Sequence, residues 1–319
     1  MHPLIARIHP AVRTALFAWL FSRTALWVLH PTRAVELADG APLPGLVDQT
    51  LQQLLGTISA PWLAQVVAAT PWVMVEVLIL IAGISVYRFA RTTDLDRLAE
   101  RACWLWFFNP LLALNPDAWG MQLAVATGTI AVAAVVTRRP RLSAVATVVA
   151  VGCRPEFVVL APAVALAAWK HCRPPNHSPF AFAASLLAIP AAFTGWIVAT
   201  WHLGGAAGTS LRSLHGGVSW RDSSSILPAS APEWITLVVL AAVLLLAIRY
   251  LKRFPLWYAV AAAPAAIWPL FQEPMYLAAT TIAWSLPTFV HLGVATDDRG
   301  TARALIVGCA VAFVLIAAP

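Results

Sequence analysis

Apolar runs about 20 residues long recur along most of this chain, and short charged loops separate them. A helix of that length matches the hydrocarbon layer of a bilayer. Of the 319 residues, 60% are hydrophobic and only 11% are charged, whereas about 25% of the residues of a soluble domain are charged. The sequence therefore predicts an all-α polytopic membrane protein, with residues 1–319 forming a single integral-membrane domain.

The run from Leu142 to Trp169 is too long for one simple crossing and too short for two. Its middle contains Arg154, Pro155 and Glu156. Proline breaks a helix, and irregular backbone at membrane depth is tolerated where protein buries it or where it lines a wet cavity. We predict a broken pair of short helices over 142–169, with Arg154 facing a polar cavity. A structural kink in which Arg154 pairs with Glu156 is the alternative.

The distribution of Lys and Arg predicts the orientation, because basic residues collect in cytoplasmic loops. The loop 88–101, the turn 138–141 and the segment 170–173 are all rich in basic residues. They can share one side only if the run 142–169 enters the membrane and returns. We predict a cytoplasmic N-terminus and about nine full transmembrane helices besides the broken pair, in the bacterial cytoplasmic membrane. The basic residues that give the chain its net charge of +7 then serve to orient it in the membrane. No nucleic-acid partner is expected.

This topology gathers acids and arginines on the outer face. Asp48 lies in the first outer loop, Asp117 in the turn after the third run, and further polar residues in a long outer loop over 202–233. Arginines can hold a phosphate through bidentate, charge-assisted hydrogen bonds. A carboxylate can take a proton from an acceptor hydroxyl. Such a set is typical of an enzyme that acts on a lipid-linked phosphate.

Simpler roles for the acids remain open. A lone Asp in a loop is often a solvated charge. Asp48 opens an amphipathic segment, and as the N-cap of an interfacial helix it would have a structural role. Glu76 lies inside the second apolar run, where a protonated or hydrogen-bonded carboxyl is expected.

Five segments follow the motifs of one family in the same order: Trp19-Leu20-Phe21-Ser22-Arg23, Asn109-Pro110-Leu111-Leu112, Cys153-Arg154-Pro155-Glu156-Phe157, Trp201 through Arg221, and Pro269 through Phe289. The first is similar to W-L-x-S-R and the third to T-R-P-x-G-L. On these segments the chain resembles bacterial relatives of the second mannosyltransferase of glycosylphosphatidylinositol-anchor assembly, within the GT-C superfamily of membrane glycosyltransferases.

The resemblance implies a GT-C-like fold and an inverting glycosyltransferase, with mannose as the expected sugar. The donor is a sugar linked to polyprenyl phosphate, and a lipid or glycan accepts the sugar at the outer face. The family's catalytic base is an acid of the first outer loop, where this chain has Asp48; Asp117 is the alternative.

Three arginines are the expected ligands of the donor phosphate: Arg154, Arg212 and Arg221. Possible substrate contacts are Glu156, Trp119, Gln122, His215 and Trp220. No metal or other cofactor is expected, because arginines can neutralise a monophosphate leaving group. The expected partners are membrane lipids and the lipid-linked donor.

A second hypothesis comes from three departures from the family's motifs. Val47 stands where the acidic loop has Trp, Met121 where the second turn has Glu, and Met275 where a late span has Arg. On this hypothesis the chain is a catalytically degenerate GT-C-like scaffold, which packs against a membrane protein partner or holds a lipid.

Overall fold

The computed structural model describes residues 9–29, 42–92, 99–108, 119–153, 161–171 and 299–317 in continuous stretches, together with Phe157 and short runs between 174 and 273. This described part is helical, apart from one antiparallel pair of two-residue strands. The predicted all-α class is confirmed for it.

The helices with defined bounds are α1 (Pro10–Leu29), α2 (Pro42–Thr57), α3 (Pro61–Thr92), α4 (Ala99–Phe107), α5 (Trp119–Val136), α6 (Pro140–Cys153), α7 (Ala161–His171) and α8 (Arg299–Ala317). Four of them, α1, α2, α3 and α6, begin at a proline. Proline suits the first helical position because its fixed φ matches the helix and its missing N–H needs no partner there. The sequence therefore marks these four starts locally.

A tight turn joins α5 to α6. The N–H of Arg139 donates to the carbonyl of Ala134 at 2.7 Å, and the N–H of Arg138 donates to that of Val135 at 3.0 Å. Arg138 has a φ of 60°, the left-handed conformation that closes a helix in this hydrogen-bond pattern. Glycine is usual at such a position, since a side chain there costs roughly 1–2 kcal/mol. The turn folds α6 back along α5.

Helix α5 lies at the centre of the described bundle. Every side chain from Gln122 to Val136 is buried, and the helix packs against α3, α6 and α7. Half of its 18 residues are Gly, Ala or Thr, and small side chains let helices approach closely. Gly128 shows this directly, because the ring of Phe157 lies against it. The ring of Phe107 lies against Gly83 of α3 in the same way.

A second group of helices packs beside α3. Helix α1 contacts α3 and α4, and α8 contacts α1 and α4. Aromatic rings fill part of this region: Phe108 stacks on Trp104 at 5.8 Å and meets Phe313 edge-on at 5.7 Å between ring centroids. The fully buried Phe313 thereby joins the C-terminal helix to the N-terminal half of the chain.

Among the described residues, one helix is both long and apolar enough to cross a membrane, over Pro61–Arg91 of α3. Only 28% of its apolar window is buried, whereas the core helix of a soluble protein is mostly buried. Its exposed side chains are largely apolar and include Trp62, Val66, Val73 and Val77. A largely apolar outer face suits lipid better than water. The total of about nine crossings and the orientation stay predictions.

Two predicted features involve segments that are described in part. Helix α6 ends at Cys153 and α7 begins at Ala161, so the break expected in the run 142–169 falls between two separate helices. Strands β1 (Ser219–Trp220) and β2 (Gln272–Glu273) pair antiparallel, Ser219 with Glu273 and Trp220 with Gln272. This pairing agrees with a topology in which both segments lie on the same side.

We expect Gly83→Ala and Gly128→Ala each to lower the stability of the folded protein by about 1–3 kcal/mol, because the new methyl group meets a buried phenyl ring that has no room to move. Thermal unfolding of the purified protein in detergent measures this. Gly308→Ala is the matched control, since nothing lies within 4 Å of the added carbon in α8. A loss of stability in Gly308→Ala equal to that of the other two would contradict this account of the packing.

Candidate functional site

Four polar side chains meet between α1, α3 and α5, and we call them the arginine cluster: Trp19, Arg23, Glu76 and Gln122. The guanidinium Nε of Arg23 donates to Oε2 of Glu76 at 2.8 Å. Nη2 of Arg23 donates to Oε1 of Gln122 at 3.2 Å. The indole Nε1 of Trp19 donates to the same Oε2 of Glu76 at 2.8 Å. Arg23 is only 1% exposed, so an ionic group lies inside the bundle.

The W-L-x-S-R segment supplies the α1 side of the cluster. Trp19 and Arg23 are four residues apart and therefore share one face of the helix. Ser22, which is also buried, donates its hydroxyl to the carbonyl of Trp19 at 3.0 Å. Between them Leu20 and Phe21 point outward, 46% and 59% exposed. The segment thus turns its polar residues inward and its apolar residues outward, the reverse of a helix in water.

The three helices bring their polar residues to the same depth. Arg23, Glu76 and Gln122 each lie about 20 Å along their helices from the ends at Pro10, Arg88 and Val136. The basic residues at the ends of these three helices lie at or next to those ends. Gln122 also lies in the first turn of α5, so the cluster is close to the opposite end of that helix. Under the predicted topology this opposite end faces outward.

The carboxylate of Glu76 balances the charge of Arg23. A buried guanidinium without a counter-charge would lose its hydration with no compensation, and the ion pair removes most of that cost. Both donors converge on Oε2 of Glu76, and no described residue donates to Oε1. Glu76 is 17% exposed, which leaves that oxygen open to water or to another donor.

Trp72 adds a second unfilled polar group beside the cluster. Its indole Nε1 is buried and has no hydrogen-bond partner among the described residues. Trp72 lies one turn before Glu76 on α3, so the two residues share a face of that helix. Buried donors are nearly always satisfied in folded proteins. The face of α3 next to Arg23 therefore has spare hydrogen-bonding capacity for water or a polar group.

The arginine cluster is suited to holding helices in position. Arg23 contacts residues of two other helices and so ties α1, α3 and α5 together at one level. Its charge is already neutralised, and an anion could bind it only by displacing Glu76. The cluster therefore fixes the helices that lead into the neighbouring loops. Residues that bind a ligand or react with it have to lie at the edge of the cluster.

The predicted site residues are placed as follows. Gln122 is buried and belongs to the arginine cluster, Trp119 is the first residue of α5, and Trp220 belongs to β1. Asp48 lies well inside α2, which begins at Pro42; the interpretation of Asp48 as an N-cap is therefore wrong. The remaining predicted residues lie outside the described residues: Asp117, Arg154, Glu156, Arg212, His215 and Arg221.

Sequence reasoning missed the partnership between Arg23 and Glu76. A hydrogen-bonded carboxyl was expected at Glu76, and this is confirmed. The available signal was that each residue is an isolated charge deep in an apolar run, and such charges pair with one another. Gln122 was singled out, but as a contact for substrate. Its bond to Arg23 could not be inferred, because it depends on how α1 and α5 each pack against α3, and neither segment determines that packing.

Comparison of the chain with protein-family models, with curated proteins and with solved structures gives no match. Its function therefore has to be argued from its own residues, their contacts and the order of its motifs.

We expect Arg23→Met and Glu76→Gln each to destabilise the protein by about 3–5 kcal/mol, because each leaves a buried group without its partner. The double variant Arg23→Met/Glu76→Gln should lose much less than the sum, since it leaves no unpaired charge. Unfolding of the detergent-solubilised protein measures all three.

The controls are Arg141→Met and Glu100→Gln, which change exposed residues of the same types and should stay within about 0.5 kcal/mol of the parent. If the losses of the two single variants simply add in the double variant, Arg23 and Glu76 are not energetically coupled and the account of the cluster fails.

Proposed function

We propose that this chain is a multi-pass membrane glycosyltransferase of the GT-C type. It transfers a sugar, with mannose as the expected one, from polyprenyl phosphate to a lipid or glycan acceptor at the outer face of the cytoplasmic membrane. The observation that carries the proposal is the arginine cluster, in which the W-L-x-S-R segment holds together the helices that lead into both candidate catalytic loops.

The connections of these helices support the proposal. Helix α1 leads through residues 30–41 into α2, which contains Asp48. Helix α5 begins at Trp119, just after the turn that contains Asp117. Because Arg23 is bonded to α3 and α5, the helices before and after α2, which contains Asp48, and the helix that follows Asp117 are anchored at one level. Catalytic groups must be held in place by such a rigid support.

The segments of the second half contribute at the same face under this proposal. Trp220 in β1 pairs with Gln272 in β2. This ladder connects the long outer loop, which contains Arg212, His215 and Arg221, with the segment before Met275. The loop therefore has a fixed point from which its arginines can reach a phosphate.

In the proposed reaction Asp48, or Asp117 in its place, takes the proton of the acceptor hydroxyl. The acceptor oxygen attacks the anomeric carbon from the face opposite the phosphate, so the configuration inverts. The bond from that carbon to the phosphate oxygen breaks, and polyprenyl phosphate leaves with the electron pair. Three arginines neutralise the leaving phosphate: Arg154, Arg212 and Arg221.

Among the other predicted contacts, we reassign one. Gln122 is 2% exposed and its carbonyl accepts from Arg23, so we give it a positioning role rather than a contact with substrate. Glu156, Trp119, His215 and Trp220 keep their proposed places around the sugar and the acceptor. No metal ion is needed in this scheme, because the arginines supply the positive charge.

We expect the purified protein to transfer mannose from polyprenyl-phosphate mannose to a lipid acceptor. Asp48→Asn should lower the transfer rate by about 10²–10⁴-fold, because it removes the general base. If Asp117 is the base, Asp117→Asn gives that loss and Asp48→Asn does not. Asp39→Asn, in the same outer loop as Asp48, is the matched control and should keep the parent rate within about twofold. Absence of transfer by the parent protein across lipid and glycan acceptors, or full transfer by both variants, would refute the proposal.

The alternative is a catalytically degenerate GT-C-like scaffold in a membrane complex. It is favoured by the internal neutralisation of Arg23 by Glu76, which gives the cluster a structural role, and by the three departures at Val47, Met121 and Met275. Gentle purification separates the two: a stoichiometric membrane protein partner without transfer activity supports the scaffold, and transfer by the isolated chain excludes it.

A further inference from the structure

A cavity of about 490 Å³ opens at the end of the bundle opposite to the one that holds Gln122. We call it the basic cavity. Its described lining includes a histidine and three arginines: His9, Arg88, Arg91 and Arg139. The other described lining residues are Ser85, Ile130, Ala133, Ala134, Thr137 and Leu142. None of these described residues is Asp or Glu. Its size is within the usual range for a small-molecule site.

The ends of four helices build this cavity. His9 directly precedes α1, and its Nδ1 accepts from the N–H of Ala11 at 3.2 Å. Arg88 lies near the end of α3. The left-handed turn at Arg138 directs the chain so that Arg139, the residue before α6, lines the cavity.

Two of the arginines at the cavity carry charge that no described carboxylate compensates. Neither Arg88 nor Arg139 forms an ion pair with a carboxylate of the described residues. Like charges that line a concave surface focus the field and attract an anion. Basic residues at this end also set the orientation in the membrane, but that task requires no cavity and no convergence of four helix ends on one.

The walls of the basic cavity are of two kinds. Arg88 and Arg139 offer hydrogen-bond donors, while Ile130 and Leu142 offer apolar surface. A free inorganic anion needs only the first kind. A phospholipid needs both, because its phosphate is followed by a glycerol and by acyl chains. The cavity also lies about 20 Å along the helices from the arginine cluster, which puts it at the level of the cytoplasmic headgroups under the predicted topology.

We propose that the basic cavity binds the phosphate group of an anionic membrane phospholipid, with the guanidinium groups of Arg88 and Arg139 on the phosphate and the apolar wall against the first carbons of the lipid. Basic pockets between helices at the cytoplasmic side are suited to such headgroups. This site is independent of the proposed glycosyltransferase activity, because it lies at the other end of the bundle.

Native mass spectrometry of the full-length protein, delipidated in detergent and titrated with a defined lipid, tests the proposal. Three probes are compared: phosphatidylglycerol, phosphatidylcholine and inorganic phosphate. We expect phosphatidylglycerol to bind at least about tenfold more tightly than phosphatidylcholine, since its headgroup has a net charge. Inorganic phosphate should compete only at much higher concentration. Tight binding of inorganic phosphate without preference for the lipid would overturn the assignment of a lipid.

The variants locate the binding. Arg88→Gln and Arg139→Gln should each weaken the binding of phosphatidylglycerol by about tenfold, because each removes a charge-assisted hydrogen bond. Ser85→Phe keeps every charge but fills the cavity. It should weaken the binding of phosphatidylglycerol by the same factor. Arg141→Gln removes the same charge from the same turn, at an exposed residue that does not line the cavity, and should change binding by less than about twofold. Equal losses in Arg88→Gln, Arg139→Gln and Arg141→Gln, or no loss in Ser85→Phe, would show general surface attraction and refute the site.

Discussion

The ion pair between Arg23 and Glu76 is the constraint on which the described bundle depends. A guanidinium that is 1% exposed tolerates few arrangements of its surroundings. Its carboxylate has to come from α3 and its amide partner from α5, within hydrogen-bond distance and at one depth. A slip of either helix by one turn, about 5 Å, would leave a charge unpaired among apolar side chains. The pair therefore selects one register of three helices.

This selectivity matters because apolar contacts alone discriminate poorly within lipid. Lipid tails are as apolar as the helix surfaces, so association there relies on close packing and on interhelical hydrogen bonds. Helix α5 provides the packing with alanines, threonines and Gly128, and the arginine cluster provides the hydrogen bonds. The two devices are complementary: small side chains bring the backbones together, and the polar cluster decides where along their length they meet.

The two ends of the bundle carry different kinds of polar residue, and both proposals follow from that difference. At one end the helices held by Arg23 lead towards the loops with Asp48 and Asp117. At the other, the basic cavity brings together Arg88 and Arg139, which form no ion pair with a described carboxylate. A lipid phosphate at the second end and a lipid-linked phosphate at the first would be handled by separate sets of arginines. The proposed reaction and the proposed lipid contact can therefore fail independently.

Several properties were determined by the sequence alone, because they arise from local chemistry. Apolar runs and sparse charge predict helices, and the prolines at Pro10, Pro42, Pro61 and Pro140 mark where helices begin. The interior carboxyl of Glu76 had to be hydrogen-bonded wherever it lay. The tertiary structure alone decided which partners these residues have. Residues far apart in the chain, such as Arg23 and Gln122, meet only because α1, α3 and α5 pack side by side, and no local pattern encodes that packing. For the same reason the basic cavity could not be foreseen, since four helix ends must converge before their separate charges form one site.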